Sequence, residues 1–201
     1  MYVTMTGTAS ETVTESDSPR VAFQGELGAF SEMAIRQQWP SGAVAVPCLT
    51  FPEAVAQVMD GRAHFGIIPV ENAIVGPVKV AMDALAAAGD ALVVRAETRV
   101  PVHLCLMAPA GATLAELREI HSHPVALAQC RIFFARHGWL QSAPHADTAG
   151  AARDVAQRGD RTQGAVASEM AAERYGLEVI ARRIEDVAAN WTRFVVVSRA
   201  G

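Results

Sequence analysis

The chain has no long apolar run, no basic tract and only three cysteines, and each shortage removes a class of function. Its apolar stretches are short and cut by Gly, Pro and charges, so none matches the roughly 20 residues needed to span a bilayer. No Lys/Arg cluster is long enough to track a phosphate backbone, and the formal net charge of -4 points the other way. Neither nucleic acid nor a membrane is an expected partner. Cys48, Cys105 and Cys130 are widely spaced and odd in number, with no CxxC pair and no Cys/His cluster. Disulfide scaffolds and structural zinc fit poorly, and the thiols are expected to be buried and reduced in a cytoplasmic protein. His64, His103, His121, His137 and His145 form no metal spacing. The start of the chain lacks the basic patch and apolar stretch of a secretory signal, so none is expected.

What is there is material for a core. Hydrophobic residues fill 51% of the 201 positions and charged residues 19%, enough for one domain or two small ones. Residues 1 to about 20, rich in Thr, Ser and Glu without apolar periodicity, are expected to be a flexible tail. From Val21 the pattern alternates: strands at 21–24, 44–47, 64–69 and 91–99, helices at 29–39, 53–59 and 79–87. A second set follows, with strands at 102–107, 164–167 and 178–184 and helices at 113–117, 148–157 and 169–175. Ser122-His123-Pro124 reads as the start of a further helix running to about His137, with Ser as cap and Pro in the first turn. Such alternation predicts parallel sheets covered by helices, in two comparable halves that meet near Val100-Pro101.

Ligands of open α/β sheets bind beyond the carboxyl ends of the strands. Polar residues gather at those places: a Glu71-Asn72 turn after Ile67 to Val70, Ser122-His123 after Ile120, Asp147-Thr148 before a helix, and Ser168 after Val166-Ala167. Near the C-terminus, Asn190-Trp191-Thr192-Arg193-Phe194 leads into Val195-Val196-Val197, a run expected to be a buried strand. A Thr at a strand mouth often satisfies no more than a local backbone group. Its weight here comes from its company, Pro69-Val70-Glu71-Asn72 and Ser122-His123-Pro124 with Ala128-Gln129-Cys130. In this order and at these separations the three segments resemble the catalytic domain of the prephenate dehydratase family. The resemblance runs from about Val21 to Val197, with supporting matches at 25–31, 61–71, 76–78 and 175–177.

The resemblance implies an α/β fold of two lobes, similar to type II periplasmic binding proteins, with the active site in the cleft between them. Lobe 1 would hold about 21–100 plus 190–201, and lobe 2 about 101–189. It also implies a lyase that needs no cofactor and converts prephenate to phenylpyruvate on the route to phenylalanine, by joint loss of carbon dioxide and the ring hydroxyl. Aromatisation drives that reaction, so the enzyme chiefly has to help hydroxide leave, which calls for a proton donor at the departing oxygen. Thr192 matches the family's catalytic threonine and is assigned as that donor, within a preorganised hydrogen-bond network. Asn72, Ser122 and Gln129 match positions that line the family's cleft, and as neutral polar groups they suit a hydroxyl or carboxylate ligand.

Other residues have two readings each. Arg193 either grips a substrate carboxylate or pairs with a neighbouring acid. Phe194 suits core packing or a cleft wall better than chemistry. Glu71 suits a hydrogen bond bridging the lobes, because a bare charge beside a dianion is unhelpful. His123 reads as a structural residue at the helix start. Thr148 and Asp147 stand where substrate would be held. Asp147 replaces the family's usual Ser, and Ala73 replaces another. Both Ser and Asp cap helices well, whereas a carboxylate facing the cleft would favour an amine-bearing substrate. The chain ends at Gly201, where family members commonly continue into a regulatory (ACT) domain, so no allosteric inhibition by phenylalanine is expected. The resemblance also suggests a homodimer. The competing functions are an arogenate dehydratase, a prephenate decarboxylase that keeps the hydroxyl, and a binding module of the same fold without catalysis.

Overall fold

The computed structural model describes residues 18–201, so the expected tail falls almost entirely outside the described residues. The first half of the chain runs β1 (Arg20–Gln24), α1 (Phe30–Gln38), β2 (Val44–Cys48), α2 (Phe51–Met59), β3 (Phe65–Asn72), β4 (Gly76–Pro77), α3 (Lys79–Ala88) and β5 (Leu92–Pro101). The second continues with β6 (Cys105–Ala108), β7 (Glu119–Ser122), α4 (Pro124–Ala128), α5 (Arg131–Arg136), β8 (Gln141–Pro144), α6 (Thr148–Arg158), β9 (Gln163–Ala167), α7 (Glu169–Tyr175) and β10 (Glu178–Ala181). The last strand, β11 (Trp191–Arg199), returns to the first sheet.

Two sheets result, ordered β2-β1-β3-β11-β5, with β4 on β3, and β10-β6-β9-β7-β8. Neither is purely parallel, contrary to expectation. β1 pairs in parallel with β2 and β3, while β11 runs antiparallel to β3 and β5. In the second sheet β7 is parallel to β8 and β9, while β6 is antiparallel to β9 and β10. The antiparallel strands are those that carry the chain from one sheet to the other and back.

Strands covered on both faces need side chains that are apolar in both directions, which is why they read as unbroken hydrophobic runs. Val21 and Phe23 pack with Ile67, Phe194 and Val196 beneath α1. Ala22 packs with Ile68, Val195 and Val197 against α2 and α3. The run Val195-Val196-Val197 thus feeds two cores. α2 forms because Thr50 caps it, its side chain accepting from Glu53 N at 3.2 Å, and because Pro52 suits the first turn. Its Ala54, Val55 and Val58 then share one buried stripe. In the second sheet Met107, Ala165 and Ala167 pack on the small residues of α6 and α7.

Besides the two chain crossings, the loop after β1 docks on helices of the second sheet. Ser168 Oγ donates to Gly28 O at 2.6 Å, Tyr175 Oη donates to Leu27 O at 2.6 Å, and Arg153 pairs with Glu26. Gly28 has φ +93°, and a Cβ there would lie 3.0 Å from Ala171 Cα. Only glycine combines that dihedral with so close an approach.

Several expected elements differ. Glu71-Asn72 is no turn; both residues are the end of β3, paired with Arg193 and Thr192 of β11. Residues 113–117 make a single turn, closed when the Glu116 carboxylate accepts from Thr113 N, and the chain then leaves as Arg118 N bonds Thr162 O. The helix expected from 122 to 137 is broken in two by tertiary contacts. Asp186 N donates to Gln129 O at 2.6 Å, and the Asp186 carboxylate accepts from Arg131 N and Ile132 N to start α5. His123 caps α4 in place of Ser122, its Nδ1 accepting from Val125 N. The strand expected to reach residue 184 stops at Ala181, and β8 had no sequence signal.

Candidate active site

Between the two sheets lies a cleft of about 790 Å³. Of the nine expected site residues, Asn72, Gln129, Asp147, Thr148 and Thr192 line it, and the other four do not. Ser122 is fully buried at the end of β7, where its hydroxyl donates to Val166 O at 2.6 Å and ties neighbouring strands. Arg193 has its guanidinium paired with Glu71 (Nε to Oε2, 3.0 Å) and Glu97 (3.1 Å), the ion-pair reading. Glu71 accordingly bridges strands of one sheet and not the two lobes. Phe194 is core, packed under α1.

The centre of the cleft is a chain of neutral amides and one hydroxyl. Antiparallel pairing sets Thr192 opposite Asn72, just before the β3–β11 register slips between Arg193 and Phe194. Bulges of this kind re-aim side chains at the end of a ladder. Asn72 Nδ2 shares its two hydrogens among three acceptors, Thr192 Oγ1 (3.0 Å), Asn190 Oδ1 (3.0 Å) and Trp191 O (3.1 Å). Asn72 Oδ1 accepts from Ile74 N (3.0 Å) and Val75 N (3.2 Å). The Asn72 amide is therefore saturated within the fold and holds Thr192 without offering a donor of its own. Because Thr192 Oγ1 accepts from Asn72, the hydroxyl hydrogen of Thr192 is the part left to donate into the cleft. Asn190 Nδ2 donates to Gln129 Oε1 at 3.1 Å, which turns the Gln129 NH₂ outward.

Among the described residues the cleft walls carry no Lys or Arg, and their ionisable residues are His123 and Asp147. Burial pushes the His123 imidazole below its ordinary pKa, against the opposing pull of the Asp147 carboxylate. With Nδ1 accepting from Val125 N, the neutral ring carries its proton on Nε2. Asp147 caps α6, Oδ1 accepting from Gly150 N at 2.6 Å, so the capping reading applies while the residue also borders the cleft. Positive potential comes instead from the backbone. The first turns of α1, α2, α3, α4 and α6 all border the cleft, through Ser31, Phe51, Val80, Val125 and Thr148 among others. Unpaired N–H groups and the helix dipole make such ends attractive to anions. Apolar walls from Phe30, Phe51, Val78 and Leu104 complete the site. Among the described residues no group of three His, Cys, Asp or Glu is arranged to hold a metal ion, and no helix is long and apolar enough to cross a membrane.

Sequence reasoning missed Gln24, Ser31 and Thr50 as lining residues, and gave His123 a structural role alone. Gln24 ends β1 and Thr50 follows β2, so the strand-end rule that selected Asp147 could have found them.

Comparison with known proteins agrees with this geometry. The sequence model of the prephenate dehydratase family matches residues 21–201. The bifunctional N-acyl-homoserine lactone acylase/prephenate dehydratase of Komagataeibacter europaeus is 43% identical over 89% of this chain and 62% of its own length. The arogenate dehydratase/prephenate dehydratase 2 of Arabidopsis thaliana is 37% identical over 94% of this chain and 49% of its own. The solved prephenate dehydratase of Arthrobacter aurescens in complex with L-Phe is 31% identical, with a TM-score of 0.83 over 90% of this chain and 61% of that one. The chain thus spans about half to two thirds of the length of these relatives. A family match from end to end of the described fold, on a cleft built around Thr192 and Asn72, means that this chain belongs to the prephenate dehydratase family.

Proposed function

We propose that the chain is a lyase that converts prephenate to phenylpyruvate, with Thr192 as the donor to the leaving hydroxyl. The observation that carries this reading is the Asn72-to-Thr192 hydrogen bond of 3.0 Å, which leaves the Thr192 O–H to donate into the cleft. Prephenate is a dianion with a non-aromatic ring. The ring lies against the apolar walls, and its carboxylates take the helix N-termini, with the Gln129 NH₂ as a further donor. The ring carbon–carboxylate bond then breaks and releases carbon dioxide. Its electron pair moves through the diene as the carbon–oxygen bond at the opposite ring position breaks. Thr192 stabilises the departing hydroxide, which takes up one proton, replenished from solvent, and leaves as water. A cleft without side-chain cations suits this chemistry, because the carboxylate to be lost is not clamped by a fixed charge.

Two lobes moving about the crossings at 102–104 and 182–190 go with the same reading, lobe 1 holding 21–100 and 190–201 and lobe 2 holding 101–189. So do a homodimer and a cytoplasmic setting, the latter supported by three buried free thiols. One observation favours a second substrate. Asp147 puts a carboxylate at the cleft wall, where it would attract the ammonium of arogenate. The experiment is to incubate the purified chain with prephenate and, separately, with arogenate. Phenylpyruvate or phenylalanine, respectively, is the expected product. Carbon dioxide release with retention of the hydroxyl would reassign the chain as a decarboxylase, and binding without turnover as a binding module.

A further inference from the structure

We propose that Asn190 is a positioning residue that carries the amide orientation fixed at Asn72 across to Gln129 and so aims the Gln129 NH₂ into the cleft. The proposal rests on the lyase reading for its consequence in turnover, and on geometry alone for the coupling. Asn190 is only 3% exposed, in the second chain crossing just before β11. Its side chain touches one partner from each sheet. Oδ1 accepts from Asn72 Nδ2 at the end of β3, and Nδ2 donates to Gln129 Oε1 at the end of α4. Its backbone O accepts from Val102 N at 3.0 Å, in the first crossing. One residue thus ties together both crossings and both sheets.

A primary amide has an acceptor end and a donor end, and a flipped amide reverses them. With Asn190 Nδ2 facing Gln129, Gln129 must present Oε1 inward and NH₂ to the cleft. Asn72 is itself set by Ile74 N and Val75 N, which donate to its Oδ1, so its Nδ2 faces Asn190 Oδ1 and Thr192 Oγ1. One polarity thus runs from the backbone through Asn72 and Asn190 to the Gln129 donor aimed at ligand. If the sheets separate at this point, Gln129 loses the partner that sets it.

The decisive variant is Asn190→Asp. Ionised, the introduced carboxylate accepts from Asn72 but cannot donate to Gln129. Protonated, it has an acceptor end and an O–H donor end, as asparagine has. Charged groups on the surrounding elements are Glu71 and Arg193, which are paired, Arg99 over the Trp191 ring, Asp186 and Glu185 in the loop before β11, and His103 beside Glu185. The wild-type pH profile, measured alongside, carries whatever these contribute. Asn190→Ala removes both contacts and is expected to lower kcat about 10- to 100-fold, the scale of a misoriented catalytic group. Asn190→Asp should recover turnover relative to wild type as pH is lowered and the carboxyl is protonated. An activity-independent arm follows the motion of the Gln129 side-chain amide by NMR relaxation. A rigid amide is expected in the wild type and a mobile one in Asn190→Ala, with backbone protection of β3 and β11 unchanged in both.

Near wild-type kcat in Asn190→Ala, a pH profile of Asn190→Asp parallel to wild type, or a Gln129 amide as rigid in Asn190→Ala as in the wild type would each overturn the coupling. Failure of the wild type to turn over prephenate would instead remove the lyase reading, and the NMR arm would still decide whether Asn190 orients Gln129.

Discussion

Two neighbouring rungs of the β3–β11 ladder have opposite chemistry. Thr192 and Asn72 form a neutral rung that borders the cleft, and Arg193 and Glu71 form a charged rung that does not. The charged rung keeps its solvent and its partners, so its ions cost little and gain little. The neutral rung is nearly buried at Asn72, and its hydrogen bonds are all specified in direction. The conspicuous residue of the Thr-Arg-Phe segment, the guanidinium, spends its hydrogen bonds on neighbouring strands, whereas the inconspicuous amide opposite Thr192 holds that hydroxyl at the cleft.

The difference between the rungs is broken most sharply by Thr192→Ala. Turnover of prephenate should fall roughly 100- to 10,000-fold, the usual cost of a lost general acid. Thermal unfolding should scarcely move, because Thr192 is partly exposed at a strand mouth. A variant with near wild-type turnover would sink the assignment of the donor.

Asn72→Ala should follow, with kcat down about 10- to 100-fold and a loss of stability of about 1–3 kcal/mol. That is the range for buried groups left without their partner, here Asn190 Oδ1 and the Ile74 and Val75 N–H groups. Chemical denaturation beside steady-state kinetics separates the two losses.

Asp147→Ser, compared on prephenate and arogenate, tests whether charge at the wall sorts substrates. Ser keeps a cap for α6, so stability should change by well under the roughly 0.5–2 kcal/mol of a lost cap. The ratio of specificity constants should move severalfold toward prephenate. An unmoved ratio would leave Asp147 as a cap alone.

A pH effect of similar modesty belongs to His123. Its folded-state pKa lies below the ordinary 6.5, chiefly through burial, so the unfolded chain binds the proton more readily than the native one. Stability is therefore full above 6.5 and is lost as pH falls from there through the depressed value. His123→Asn, which can still cap α4, should flatten that part of the stability–pH curve. The smallest effect is expected of Arg193→Ala on the charged rung: little change in either thermal unfolding or kcat. A large rate loss there would erase the distinction between the rungs.

Most helices and the strands buried on both faces could be read from periodicity and caps, because local and tertiary demands agree along α1, α2, α6 and α7. Legibility failed where a distant residue intervened. Nothing in residues 122–137 announces that Asp186 will take the Gln129 carbonyl and start a new helix. Nothing in Glu71-Asn72 announces a partner strand some 120 residues later. The family segments marked Thr192, Asn72 and Gln129, while the polarity of the Gln129 amide follows from Asn190, whose partners only the fold brings together. The partners of Arg193 and Ser122, Glu71 and the Val166 carbonyl, were likewise not announced by any local pattern.

The docking of the loop after β1 bears on how the molecule moves. Gly28 against Ala171, with Ser168 and Tyr175 bound to its neighbouring carbonyls, fastens the sheets at a third place besides the two chain crossings. Lobe motion about the two crossings then has to carry this docked loop along or release it as a unit, and Leu49 and Val80 stand exposed at the rim of the cleft. On that view Gly28→Ala would act on traffic rather than on chemistry: its added methyl would lever the loop from α7 and leave the Thr192–Asn72 rung untouched.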